Sequence, residues 1–174
     1  MSTAVAGRVA LIVFVTAILQ VSAFSFVVVG RGGPDFLLVT LVSIALLRGA
    51  VLGAIAGFAA GLIVDVATLG TLGFTSLLLT LVGYWVGRYG ETTGRSRGYA
   101  PLAATIAATA LVEFGGYGLH SMLAEPVSAS SIVLALPATA LCNVLLAYPV
   151  FRAIRRLVGT TERVERVREV ELLV

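Results

Sequence analysis

The sequence predicts an all-α integral membrane protein, a compact bundle of about six transmembrane helices. Three observations carry that expectation. Hydrophobic residues make up 59% of the 174 residues and charged ones only 12%, with a mean hydropathy of +1.04. A soluble domain of this length carries about twice that charged share. The apolar residues fall into six runs separated by short stretches of turn formers, and the arginines, which supply all twelve basic residues, stand at the ends of those runs. A spanning helix needs roughly 20 residues, so six helices and a tail use up the chain.

The first apolar run covers residues 9–29. Arg8, an apolar stretch and Val21-Ser22-Ala23 imitate a cleavable signal peptide, but apolar residues continue to Val29, so an uncleaved first helix is expected. Gly30-Arg31-Gly32-Gly33 makes the next turn. The second run, 34–47, opens on Pro34, where a missing N–H is harmless, and on Asp35, which complements the helix dipole from the first turn. This run is short for a full crossing. Arg48-Gly49 then predicts a tight hairpin, with Arg48 snorkelling toward headgroups; a re-entrant pair is the alternative.

The remaining runs are 50–67, 74–89, 101–122 and 131–151. Residues 68–73 and 90–98 connect the middle ones, and Pro101 opens the fifth. A transmembrane domain over 1–158 and a charged tail over 159–174 are therefore expected. In the tail Glu162 and Arg166 are spaced to support a helix, whereas Glu165 and Glu169 oppose one. An amphipathic segment lying on the membrane or touching a partner is one reading, and a solvated tail the other. No internal repeat is apparent.

Orientation follows from the arginines. With the N-terminus inside, Arg8, Arg48, Arg88, Arg95, Arg97, Arg152, Arg155 and Arg156 are cytoplasmic, and the outer connections hold Arg31 and Glu125. The reverse arrangement violates the positive-inside rule. Both termini are thus expected to be cytoplasmic. The same scatter of arginines, singly or in small groups, argues against nucleic acid as a partner, despite a pI near 9.5. Cys142 is alone, which excludes an intramolecular disulfide.

Gly53, Gly57 and Gly61 recur every fourth residue, flanked by Ala56 and Ala60. In lipid, small residues at this spacing let two backbones approach, either within the bundle or at a partner interface. Asp65 continues the stripe by one turn and is expected to point into the bundle near its outer end. Glu113 sits in the middle of the fifth run with His120 seven residues on, roughly on one face, and Thr105 and Thr109 approach that face. Ionisable groups at depth cost roughly 2.5–3.5 kcal/mol each. Asp65, Glu113 and His120 could form a proton or cation relay, or line a pocket for a small polar ligand. A purely structural alternative is an interhelical hydrogen bond, for example from Glu113 to Asn143 or to a neighbouring Thr.

Catalysis is not expected. One histidine and no acidic cluster give no metal-ligand spacing, no serine stands in a nucleophile elbow, and no glycine loop precedes a Lys. No catalytic residue, metal or cofactor is assigned.

Residues 34–87 resemble MreD, the rod shape-determining membrane protein family of bacteria. The matching features are Pro34-Asp35 with Leu37-Leu38, then Arg48-Gly49, then Gly53, Gly57 and Gly61 running into Asp65. Leu69-Gly70-Thr71-Leu72-Gly73 and Leu81-Val82-Gly83-Tyr84 complete the pattern. Ala67-Thr68-Leu69 departs from it, since the family often carries Ser and Pro there. The resemblance implies a non-enzymatic scaffold that binds MreC, a single-span protein. It also implies a link between cytoskeletal filaments and the wall-synthesis pair of RodA and a class B penicillin-binding protein. The family further resembles, in fold, the substrate-binding subunits of energy-coupling-factor transporters, which raises the alternative of a vitamin-like ligand. Short outer loops with few polar groups favour the scaffold.

Overall fold

The computed structural model describes residues 3–22, 33–93, 99–122 and 129–158. Arg31, Arg95, Arg97, Glu125, the stretch 23–29 and the tail 159–174 lie outside the described residues, and with them the expectations placed there. Six helices follow in order: α1 Thr3–Ser22, α2 Phe36–Arg48, α3 Ala50–Thr68, α4 Phe74–Thr93, α5 Ala100–Met122 and α6 Ala129–Val158. The described residues contain no strand.

The short second run becomes the axis of the molecule. Every residue from Leu37 to Leu47 in α2 is buried, and all five other helices pack against it. At 13 residues it is roughly 20 Å long, against about 30 Å of bilayer hydrocarbon. A helix this apolar on all sides has no polar face to give to water, so it is stable only when enclosed. Four helices, α1, α3, α5 and α6, are long and apolar enough to cross a membrane among the described residues. Of the two others, α2 is short, and α4 carries Arg88 and Glu91 in its closing turns.

The helices exceed several of the apolar runs. α1 already begins at Thr3, α4 continues to Thr93, and α6 extends to Val158 through Arg152, Arg155 and Arg156. Apolar runs mark what lipid accepts, whereas backbone hydrogen bonding carries a helix on into the charged interface. At the start of α2 the difference is finer. Asp35 is the N-cap and not a first-turn residue, its Oδ1 accepting the N–H of Leu38 at 2.9 Å, so Pro34 precedes the helix.

Around this axis the outward faces are apolar. Leu11, Val51, Ile55, Trp85, Leu141 and Leu145 are each at least 60% exposed. Such a belt is unfavourable in water and ordinary in lipid. The described arginines gather at one end of the bundle, with Glu91 beside Arg88 there. Arg8, Arg48, Arg88, Arg152, Arg155 and Arg156 share the end where α2 gives way to α3, and Asp35 and Asp65 lie at the opposite end.

Candidate functional site

The glycine stripe of α3 lies flush against α4. A Cβ added to Gly53 would stand 2.8 Å from the Ala45 Cβ and 2.9 Å from the Gly83 carbonyl carbon. At Gly57 it would stand 2.6 Å from the Leu79 carbonyl carbon, and at Gly61 2.6 Å from that of Thr75. No real Cβ tolerates such distances to backbone. The answering residues on α4 are Gly83, against Gly53, and Gly87, against Ala50. α3 and α4 thus form a hairpin with glycines on both sides, the closest packing available to two helices.

A carboxylate closes each end of this hairpin. Asp65, 2% exposed, accepts the N–H groups of Gly73 (2.9 Å), Thr75 (3.1 Å) and Ser76 (3.3 Å), together with the Ser76 hydroxyl (3.3 Å). The three amides are donors that the start of α4 leaves without helical partners. Glu91 does the same for α3, accepting the Ala50 N–H at 2.9 Å while Arg88 approaches at 3.4 Å. The turn between the helices needs positive φ at Leu69 (54°) and Gly73 (93°), and Gly70 N–H returns to the Asp65 carbonyl. Gly49 joins α2 to α3 at φ 92°, with its N–H on the Ala45 carbonyl. Arg48 reaches across to the carbonyl of Val158 at the end of α6. Tyr84 is on the outer surface, edge-on to Trp85 at 5.7 Å.

A second polar group surrounds the start of α2. Because that helix is short, its first turn opens inside the bundle, where its free N–H groups need partners. Asn143 of α6, fully buried, accepts the Asp35 N–H at 2.7 Å and donates to Thr109 Oγ1 of α5 at 3.0 Å. Gln20 of α1 accepts the Phe36 N–H at 2.9 Å and donates to the Pro34 carbonyl at 3.4 Å. The bond foreseen from Glu113 to Asn143 is not formed; Asn143 pairs with Thr109 instead.

Beside this network lies a cavity of about 450 Å3, lined among others by Gln20, Asp35, Thr75, Glu113, Tyr117 and His120. The His120 ring meets Phe74 at 4.4 Å between centroids, tilted by 45°. Glu113 and His120 thus share one cavity with Asp35, while Asp65 is committed to α4 and does not line it. Gln20 and Glu91 have no signature in the sequence. Each acts by standing level with the open end of a neighbouring helix, which only the assembled bundle reveals. Among the described residues no three His, Cys, Asp or Glu converge as a metal site.

A family model described as rod shape-determining protein MreD matches residues 2–159, nearly the whole chain. No curated protein and no solved structure gives a match, so the likeness to transporter substrate-binding subunits rests on the family resemblance alone. The match takes in the glycine hairpin, its Asp65 cap and the six apolar helices. The chain belongs to the MreD family of rod shape-determining proteins, as a multi-pass membrane component of rod-shape determination.

Proposed function

We propose that the protein is a non-enzymatic scaffold that binds an MreC-like single-span protein. In this reading it helps couple cytoskeletal filaments to peptidoglycan synthesis by RodA and a class B penicillin-binding protein. The observation that carries this reading is the family match over residues 2–159. The geometry supports it in one respect: the motif residues Gly53, Gly57, Gly61, Asp65, Gly73 and Gly83 are spent on building a rigid hairpin. Since α4 covers the glycine face of α3, the partner's span meets a different surface. The hairpin acts by holding that surface in shape. The arginine-rich end faces the cytoplasm of the inner membrane, together with both termini.

The test is co-purification of the tagged chain with the MreC-type protein of the same host in mild detergent. A stoichiometric complex that survives size exclusion is the expected result; two separate peaks at micromolar concentration would remove the scaffold reading.

The cavity beside Asp35 and Glu113 favours a second reading, binding of a small polar molecule. Mass spectrometry of metabolites released from the purified protein distinguishes the two. A stoichiometric small molecule without the partner supports ligand binding.

A further inference from the structure

A different opening lies between α1 and α6. α1 and α6 both pack on α2 but touch each other only sparingly, which leaves a groove of about 680 Å3 between them. Its walls are apolar, with Leu11 and Leu157 more than half exposed on its two sides. On its floor lies Thr40, fully buried, whose hydroxyl finds no hydrogen-bond partner. A helical Thr normally turns this group onto the carbonyl four residues back, as Ser43, Thr105 and Thr109 do.

The two ends of the groove differ. Arg8 from α1 and Arg156 from α6 line it at the arginine-rich end. Both are exposed, and among the described residues neither is paired with a carboxylate. From Arg8 to Leu19, the apolar limit on α1, is eleven residues, roughly 16 Å of helix. That is about half of the roughly 30 Å hydrocarbon thickness, the depth of one leaflet. We infer that this groove holds an anionic phospholipid, its phosphate between Arg8 and Arg156 and an acyl chain along α1 and α6 over Thr40. Planar guanidinium groups match phosphate oxygens in pairs, and basic recesses between spanning helices suit such headgroups. A spanning helix of a partner is the poorer fit, because it asks for a groove through both leaflets and brings no required anion.

The full chain in mild non-ionic detergent, offered equal amounts of phosphatidylglycerol and phosphatidylcholine, is read by native mass spectrometry. Two arginines near a headgroup predict about a thirtyfold preference for phosphatidylglycerol. Arg8→Gln/Arg156→Gln should bring the ratio close to one. Arg88→Gln, at the same end but outside the groove, should leave it unchanged. Ala153→Trp, which keeps both arginines and fills the groove, should also abolish lipid retention. No preference in the unaltered chain overturns the proposal, as does a preference that survives the double variant. Retention by the Trp variant overturns it too, since the headgroup would then sit on surface arginines without the groove. Displacement of phosphatidylglycerol by the purified single-span partner, with no preference left between lipids, would assign the groove to that protein.

Discussion

The Asp65 carboxylate holds both the amide and the hydroxyl of Ser76 at 3.3 Å, and through them ties the end of α3 to the first turn of α4. A charged acceptor serving several buried donors stabilises more than a neutral one, and its loss strands every donor at once. Asp65→Ala should therefore cost about 3 kcal/mol, and Asp65→Asn roughly half, since the amide keeps one acceptor oxygen. The single tryptophan, Trp85 on α4, reports unfolding by fluorescence during titration from mild detergent into SDS. An unchanged midpoint for Asp65→Ala would refute this role.

Gly57→Leu and Gly61→Leu should abolish assembly with the partner and lower stability by at least about 3 kcal/mol, because each side chain would have to displace α4 backbone. Gly7→Leu is the control, with nothing within 4 Å of its Cβ position. Co-purification and the SDS midpoint are measured together. Normal assembly with a lowered midpoint would separate the seam from the scaffold's function.

At the other end of the hairpin, Glu91 contacts both Arg88 and the Ala50 amide. Exposed ion pairs contribute little, whereas a lost helix cap costs about 1 kcal/mol. Glu91→Ala should lower stability by about that amount and Arg88→Ala by less than about 0.5 kcal/mol. Equal losses would mean that the ion pair, not the cap, is what matters.

Asn143 joins α6 to α5 and α2 through one side chain. A double-mutant cycle of Asn143→Ala and Thr109→Ala should give a coupling of about 0.6 kcal/mol and at most about 1.7 kcal/mol, the average and the maximum for hydrogen bonds between membrane helices. Additive losses would show that the 3.0 Å contact is energetically silent.

Glu113 makes no hydrogen bond among the described residues and lines the cavity. In the scaffold reading Glu113→Gln leaves co-purification with the partner unchanged, because the substitution keeps the shape of a group that holds no helix. An inactive Glu113→Gln beside normal glycine variants would favour the ligand-binding reading.

Much of this architecture was legible in the residues themselves. Composition and the six apolar runs imply a helical membrane bundle, because each 20-residue span must satisfy its own backbone in lipid. The four-residue spacing of Gly53, Gly57 and Gly61 announces a close helix contact, since spacing alone puts them on one face. The MreD resemblance was visible in the same stretch, from Pro34-Asp35 to Gly83-Tyr84. What spacing cannot state is who stands opposite. Only tertiary structure decided that α4 fills the glycine seam, and that the short, uniformly apolar α2 is the enclosed axis. It also decided that Asp65 caps a helix while Glu113 borders a cavity. The physical reason is that a helix end or a polar side chain inside lipid takes whatever partner stands level with it. That level is set by the lengths and offsets of helices far apart in the chain, as Gln20 with Phe36 and Asp35 with Asn143 show.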